Sequence, residues 1–288
     1  MRATATRLHD FAENSFLRRR QLCIGRRHRE VKEAWFIRWL IVFAAGSIAG
    51  SFLGVCIHRL PRGESVVWPR SHCPKCGATL GPLELLPVLS YVLLRGRCRQ
   101  CGERISIFYP VIEAGVGLVF VLIVAGRGVT IGTLNYLVLA SLVVVAAGID
   151  LNHGVIPDRL TLPWMAVGVA AGALWGLHEV AIRAIGLVVC GGLVFLIALL
   201  SRGGMGGGDV KLMALVGSFL GPWGGLASFM IACFIGAAVG VGLIVAGLKK
   251  RKDEIPFGPF IAAGAIIVCI SGTWVLRLVF PWLGQAGF

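Results

Sequence analysis

The feature that most constrains this chain is a series of long apolar runs separated by short polar segments. An α-helix of about 20 apolar residues can cross the hydrocarbon core of a bilayer. Only 15% of the residues are charged, against about 25% in soluble domains, so a soluble core is excluded. We therefore predict an all-α polytopic membrane protein with about eight transmembrane helices. The predicted spans are 34–57, 109–126, 131–149, 161–177, 180–200, 210–222, 224–248 and 257–280.

These runs divide the chain into four predicted regions. Residues 1–33 form a basic extension that we expect to be disordered, and 34–57 is the first span. Residues 58–108 are the only long polar segment, which we expect to be a small cytosolic domain, and 109–288 would hold the remaining spans. The net charge of +14 is concentrated in loops, so it indicates membrane topology and not a nucleic-acid partner.

The predicted spans also fix which loops share a membrane face. The polar segment and the loops at 150–160, 201–209 and 249–256 would lie on one side, and basic residues there place that side in the cytosol. The basic N-terminal extension disagrees, because the same count places it outside. Translation from a later start, for example at Val31, would remove the conflict, whereas N-terminal sequencing that finds Met1 would contradict that hypothesis.

The polar segment 58–108, also called here the four-cysteine segment, contains two Cys-x-x-Cys pairs, Cys73/Cys76 and Cys98/Cys101, with 21 residues between them. This spacing is typical of a tetrahedral zinc site, although two disulfides or a redox pair would use the same residues. We favour zinc, because a basic loop is expected in the cytosol, where disulfides are rare. Four cysteines complete the coordination of the metal, which indicates a structural role.

Two aspartates stand at the ends of predicted spans. Asp150 ends the third run, and Asp209 ends the glycine-rich segment 203–209. Because two crossings separate them, both are expected at the same face. Taken alone, the segment also fits a flexible loop in which Asp209 caps the next helix. Gly206 and Gly208 would support the site, since a substrate backbone or a partner helix can approach glycine closely.

A pair of adjacent carboxyl groups can hydrolyse a peptide bond without a covalent intermediate. Two such groups share a proton, so the ionised one takes a proton from water and the protonated one polarises the scissile carbonyl. A further acid, Glu113, lies just inside the second run. We expect it to be an interfacial glutamate with a basic partner from the polar segment, or else a substrate contact.

Several separate motifs resemble the prepilin peptidases, the type IV leader peptidases of bacteria, which are Gly-x-Gly-Asp intramembrane aspartyl proteases. The resemblance extends from about residue 46 to 280. The motifs are Gly50-Ser51-Phe52-Leu53 to His58-Arg59-Leu60-Pro61, the four-cysteine segment, Tyr109-Pro110-Val111-Ile112-Glu113, Ile149-Asp150 to Ile156-Pro157-Asp158, Gly204-Met205-Gly206-Gly207-Gly208-Asp209-Val210-Lys211-Leu212, and Ile255-Pro256-Phe257-Gly258-Pro259.

The resemblance implies that Asp150 and Asp209 are the catalytic pair. Many relatives carry another aspartate two residues after the first, where this chain has Asn152. Asp158 would be a helix N-cap or a positioning group, and Lys211 a positioning or substrate-contacting group.

The resemblance further implies an enzyme of the bacterial inner membrane that acts at the cytosolic face. It would remove the short basic leader from type IV prepilins or type II secretion pseudopilins. It would then N-methylate the new N-terminal residue with S-adenosylmethionine, at a site that the sequence does not locate. A leader peptidase without methyltransferase activity, an ion-coupled transporter using the two aspartates, and a zinc-stabilised scaffold are the alternatives.

Overall fold

The computed structural model describes residues 35–201, 205–250 and 255–281. Within these ranges the chain forms helices and no strand beyond two isolated bridges, so the all-α prediction is confirmed. The predicted basic extension at 1–33 lies outside the described residues. The helices are α1 (Trp35–Arg62), α2 (Leu89–Leu93), α3 (Phe108–Arg127), α4 (Ile131–His153), α5 (Asp158–Ala170), α6 (Leu177–Leu200), α7 (Gly207–Val245), α8 (Gly258–Ser271) and α9 (Thr273–Val279).

Five helices in the described ranges are long and apolar enough to cross a membrane, namely α1, α3, α4, α6 and α7. The apolar helix α8 has 14 residues and is shorter. The polytopic prediction is therefore confirmed, whereas the count of eight crossings remains a prediction. Two of the predicted spans are interrupted. α5 passes at Ala171 into a 3₁₀ turn, and α8 is separated from α9 by Gly272.

The first helix extends beyond its predicted end at Ile57 and continues to Arg62. Its last turn is a 3₁₀ turn that Gly63 closes with φ 71, donating its N–H to the Leu60 carbonyl. The span 34–57 remains a prediction, because apolar residues mark where a helix leaves the bilayer and not where its backbone hydrogen bonding ends. His58 is consequently held on a helix and not in a loop.

The long helix α7 reverses direction at Gly221, as the predicted break between 210–222 and 224–248 requires. Gly221 has φ 69 and ψ −178, and Pro222 follows it. A Cβ added to Gly225 would lie 3.2 Å from the Cα of Gly217, eight residues earlier. In a straight helix eight residues span about 12 Å. The two arms of α7 therefore lie side by side where they leave the turn.

Small residues allow the helix backbones to approach closely, which is the usual way in which helices associate in lipid. Gly186 of α6 and Gly217 of α7 face each other, and a Cβ on either would overlap the carbonyl of the other. Gly264 of α8 makes the same kind of approach to the carbonyl of Ser228. The glycine and alanine content of the apolar runs is thus used for helix packing.

Helix ends that were predicted to share one membrane face do lie together. The end of α4 contacts the start of α8 through Asp150 and Gly258, and the starts of α5 and α7 are joined by Asp158 and Lys211. At the other end of the bundle, Arg127 at the end of α3 donates to carbonyls in the last turn of α8. The first of these ends, called here the aspartate end, carries both predicted catalytic residues.

Candidate active site

Asp150 lies in the last turn of α4, which runs to His153. Gly154 ends this helix with φ 65, and its N–H donates to the Asp150 carbonyl at 2.8 Å. The side chain of Asp150 is turned into the bundle, since the residue is only 8% exposed. The backbone of Asp150 is therefore fixed by the end of α4, and its side chain is enclosed by neighbouring helices.

Asp209 lies in the first turn of α7 and is 9% exposed. The N-cap of this helix is Gly206, with φ −76 and ψ 149, and the Asp209 N–H donates to the Gly206 carbonyl at 3.1 Å. The alternative in which Asp209 is itself the N-cap is therefore wrong. Its side chain is free of the capping role and is available for the site.

The structure brings the two acids together. Their carboxyl groups lie close enough for their charges to interact, although 59 residues separate them in sequence. Two helices that point in opposite directions supply them, one at its end and one at its beginning. Ionisation of one buried acid disfavours ionisation of a second one nearby, which suits a pair in which one carboxyl group is protonated and the other is ionised.

Gly258 at the start of α8 completes the surroundings of Asp150. Its N–H donates to Oδ2 of Asp150 at 3.0 Å, which uses one of the backbone donors that a helix start leaves unpaired. A Cβ on Gly258 would lie only 2.6 Å from the same oxygen. Only glycine therefore fits this contact, and α8 fixes the orientation of the Asp150 carboxyl group.

Gly208 and Gly206 play different parts in the glycine-rich segment. A Cβ on Gly208 would lie 3.1 Å from Cβ of Ile156, so its lack of a side chain lets α7 approach the α4–α5 connection. Gly206 serves as the N-cap of α7 with an ordinary negative φ. Neither glycine has a positive φ. Glycine is needed at position 208 because Ile156 packs closely against it, and not because of its backbone conformation.

Asp158 and Lys211 form an ion pair at 2.5 Å beside the aspartates. Asp158 is the first residue of α5, and its N-cap is Pro157 without a side-chain hydrogen bond. The predicted N-cap role of Asp158 is therefore wrong, because its carboxylate reaches across to α7 instead. The side chains are 55% and 40% exposed, so the pair stabilises the fold by only about 0–1 kcal/mol.

The four cysteines of the polar segment converge on one point. Their sulfurs all lie within 4.8 Å of one another, and Cys73 and Cys101 are 3.8 Å apart. A tetrahedral site with Zn–S bonds of about 2.3 Å requires sulfurs about 3.8 Å apart. All four are free thiols, so the alternative of two disulfides is not formed. The group is able to hold a metal ion.

Each Cys-x-x-Cys pair is built by a tight turn of the same design. Gly77 and Gly102 have φ 70 and φ 73, and their N–H groups donate to the carbonyls of Cys73 and Cys98. The positive φ explains why glycine follows each pair. Lys75 of the first turn also forms an ion pair with Glu103 of the second. Both turns are therefore held by contacts within the polar segment itself.

The charges of these thiols favour a cation. Backbone N–H groups of Cys76 and Lys75 donate to the Cys73 sulfur and lower the pKa of that thiol to about 6. At Cys101 the N–H of Glu103 acts in the same direction, but loss of solvation and the other three sulfurs outweigh it and raise its pKa to about 12. Four thiolates this close can coexist only around a positive ion.

Among the described residues, Glu113 has no basic partner of the kind that the sequence predicted. Its Oε2 accepts the N–H of Val88 at 2.7 Å, at the start of the short helix α2. Val88 has φ 61, so the backbone at this point is held in a conformation that non-glycine residues rarely adopt. Glu113 thereby attaches the four-cysteine segment to the membrane helix α3.

A cavity of about 610 Å³, called here the loop cavity, lies between the four-cysteine segment and the ends of α1, α3 and α4. It is open to the surroundings and has both polar and apolar walls. Residues that line it include His58, Glu84, Tyr91, Tyr109, Glu113 and Asn152. Because Asn152 follows Asp150 by two residues, the cavity extends to the vicinity of the aspartates.

Two residues of this region were absent from the predicted site. Gly258 belongs to the Ile255–Pro259 motif, yet nothing local in the sequence indicates that it contacts Asp150, 108 residues away. His58 stacks near Phe108 and Tyr109, with ring centroids 5.8 and 5.7 Å apart. The available signal was a histidine directly after an apolar run. Because the predicted span ended at Ile57, His58 was assigned to the polar segment and not to the helix.

Comparison with known proteins agrees with this arrangement. Residues 44–126 match the family model of the bacterial peptidase A24 N-terminal domain, and residues 137–241 match that of the type IV leader peptidase family. The two matches divide at the end of α3. The first contains the four cysteines and the second contains both aspartates.

Several relatives match over most of their length. The prepilin leader peptidase/N-methyltransferase of Bacillus subtilis (strain 168) is 34% identical over 238 residues, which cover 82% of this chain and 95% of that protein. The protein of the same name from Burkholderia pseudomallei (strain 1026b) is 36% identical over 261 residues, with coverages of 79% and 84%. The one from Aeromonas hydrophila is 35% identical over 272 residues, with coverages of 83% and 93%.

A comparison with solved structures returned no match. The family assignment therefore depends on the sequence. Both family models fall on the helices that form the aspartate end and the four-cysteine segment, and several relatives exceed 30% identity. This chain belongs to the type IV leader peptidase family.

Proposed function

We propose that this chain is a membrane aspartyl endopeptidase that removes the leader from type IV prepilins or type II secretion pseudopilins. We further propose that it N-methylates the new N-terminal residue with S-adenosylmethionine. The observation that carries the peptidase activity is the meeting of Asp150 and Asp209, two buried acids from different helices, at one end of the bundle. The names of the relatives support the second activity.

The proposed hydrolysis uses the two carboxyl groups in complementary roles. The ionised one accepts a proton from a water molecule as the water attacks the scissile carbonyl carbon. The protonated one donates to the carbonyl oxygen, so a tetrahedral diol forms without a covalent enzyme intermediate. When the diol collapses, the C–N bond breaks and a proton passes to the leaving amine. Gly258 holds one oxygen of Asp150 in place during these steps.

The position of the pair suits a substrate that is itself a membrane helix. A prepilin-type precursor has a polar leader followed by an apolar helix, so its cleavage site would lie at the membrane surface. Asp150 and Asp209 are at helix ends and not at mid-bilayer, which supports this substrate over the transport of an ion through the bundle. The loops at this end are basic, which supports the cytosolic face of the bacterial inner membrane.

The four cysteines are proposed to hold zinc in a structural role. The spacing of their sulfurs fits tetrahedral Zn²⁺, and four protein ligands leave no position for a substrate. The metal would supply rigidity to the 58–108 domain, which Glu113 attaches to α3. Metal analysis of protein purified without chelators tests this, and a preparation that contains a different metal or none would contradict it.

The test of the enzymatic proposal is a reaction of the purified chain with a prepilin, with and without S-adenosylmethionine, read by mass spectrometry. Cleavage without the donor and a further gain of one methyl group with it are expected. Asp150→Asn and Asp209→Asn should each abolish cleavage. Glu64→Gln is the matched control, because it removes an exposed acid of the polar segment, which is predicted to lie at the same membrane face, and it should leave cleavage intact.

The possible outcomes separate the alternatives. Cleavage without methylation would identify a leader peptidase that lacks the second activity. Full activity in either asparagine variant would exclude the aspartate pair as the catalytic groups. For the membrane side, an alkaline phosphatase reporter fused at Gly128 should be active and one fused at Gly154 inactive, and the reverse pattern would contradict the cytosolic assignment.

A further inference from the structure

The site of the methyl donor is not assigned by the sequence or by the comparisons, and the loop cavity is the candidate. If the chain methylates the amine that it has just released, the donor must bind near Asp150 and Asp209, where that amine is formed. The loop cavity meets this condition, because Asn152 in its wall lies in the same helical turn as Asp150.

A second cavity in the described residues fails the same condition. It has a volume of about 360 Å³ and is lined by residues that include Arg127, Thr133 and Arg183. Arg127 ends α3 and Thr133 begins α4, whereas Asp150 is at the far end of α4. A helix of this length separates the two positions by about 25 Å or more. A donor bound there could not reach an amine at the aspartates.

The loop cavity has the size and the chemistry for such a ligand. Its volume of about 610 Å³ lies within the range of about 300–1,000 Å³ that is usual for small-molecule sites. The rings of His58, Phe108 and Tyr109 form one aromatic group in its wall, and Tyr109 is 38% exposed. Such rings bind a purine by stacking and attract a cation over their faces.

Two carboxylates in the wall lack a positive partner. Oε2 of Glu113 accepts the Val88 N–H, and Oε2 of Glu84 accepts the Gly81 N–H, each at 2.7 Å. Neither belongs to an ion pair among the residues that the structure describes, although Arg59, Arg99 and Arg104 also line the cavity. A half-buried carboxylate inside the start of a spanning helix is costly unless a positive charge is supplied. A cationic ligand would provide that charge.

We propose that the loop cavity binds S-adenosylmethionine, with Glu113 facing the positive charge of its sulfonium group. This inference rests on the proposed methyltransferase activity and adds its location. Glu84 would be available to the ribose hydroxyls, since carboxylates commonly accept hydrogen bonds from a ribose diol. The arrangement places the donor between the four-cysteine segment and the aspartates, so both domains of the chain contribute to one reaction site.

The experiment compares two ligands that differ in charge. Binding of S-adenosylmethionine and of the neutral thioether S-adenosylhomocysteine to the purified full chain is measured by calorimetry. Glu113→Gln should lose about tenfold in affinity for the sulfonium and little for the thioether, because only the cation interacts with the lost charge. Glutamine can still accept the Val88 N–H, so the attachment of α2 is preserved.

Glu64→Gln is the matched control, because it makes the same charge change in the same polar segment but does not line the cavity. It should leave the preference for the sulfonium unchanged. Bound zinc, measured in every preparation, reports whether the segment remains folded. Ultraviolet cross-linking of donor labelled in its methyl group should place the label within residues 51–113.

The outcomes distinguish this inference from the function on which it rests. Methylation by the wild type, together with an unchanged ligand preference in Glu113→Gln or a label within α5 to α9, would overturn the location and leave the activity standing. An equal loss for both ligands would overturn the role of Glu113. A wild type that cleaves prepilin but neither binds nor uses the donor would overturn the methyltransferase proposal, and the location with it.

Discussion

The four-cysteine segment and the aspartate end are both sites of convergent side chains, but they are assembled over very different distances along the chain. Each cysteine pair is fixed by a turn of a few residues, with a positive-φ glycine and short backbone hydrogen bonds. The two pairs are then joined across 21 residues. Asp150, Asp209 and Gly258 come from three helices, and 108 residues separate the first from the last.

This difference determines what each site can tolerate. A local turn keeps its geometry as long as its own few residues remain, and the metal supplies the force that joins the turns. The aspartate end depends on how whole helices pack, through contacts such as Gly186 against Gly217. A change far from the acids can therefore disturb them, whereas the cysteine turns should be affected only by changes within the segment. Four predictions test this contrast.

The largest effect is expected from Cys73→Ser, which should abolish metal binding and unfold the segment. Four-cysteine sites obtain most of their folding free energy from the metal, so loss of one ligand removes it. Metal content and proteolysis between residues 58 and 108 are the measurements. Cys233→Ser, an exposed cysteine of α7, should keep the metal. Loss of metal in both variants would contradict a site confined to the segment.

Next in size is the effect of Asp150→Asn combined with Asp209→Asn. Each single change should lower kcat/KM for cleavage on the order of 10³-fold or more, because a general acid or base is removed. The double change should be no worse than either single one, since the two groups act as a unit. Single-turnover kinetics measure this, and additive losses would show that the acids work independently.

Gly258→Ala should have an intermediate effect, a loss of about 10²-fold in cleavage with the metal retained. The new Cβ would lie 2.6 Å from Asp150 Oδ2, so the carboxyl group must move, and misplacement by about 1 Å can cost that much. Gly192→Ala is the control, because no atom lies within 4 Å of its added Cβ. Normal activity in Gly258→Ala would remove α8 from the site.

The smallest effect is expected from Lys211→Met, which breaks the ion pair with Asp158. Both side chains are substantially exposed, so the free energy of unfolding should fall by less than about 1 kcal/mol. Thermal unfolding and the KM for prepilin are the measurements. A large fall in kcat with no change in stability would instead show that Lys211 contacts the substrate, which was the other role predicted for it.

Residue patterns were sufficient to predict most of the architecture. Run lengths predicted the helices, the separation of the runs 210–222 and 224–248 predicted the reversal within α7, and the cysteine spacing predicted the converged sulfurs. Errors arose where one residue type has several uses. Asp158 and Asp209 were candidate N-caps, yet each cap is taken by a preceding residue, Pro157 and Gly206. Glu113 was expected to pair with a basic side chain, but its carboxylate accepts the backbone N–H of Val88.

Sequence by itself determined the membrane class, the helix order and the shared face of the two acids, because these follow from local hydrophobicity and from counting crossings. Only the tertiary structure decided that Gly258 orients Asp150 and that Lys211 forms an ion pair with Asp158. It also decided that a cavity opens beside Asn152. The physical reason is the sequence separation of the interacting residues. Helices and turns form through interactions between neighbouring residues, whereas the contacts between helices depend on side-chain packing throughout the bundle.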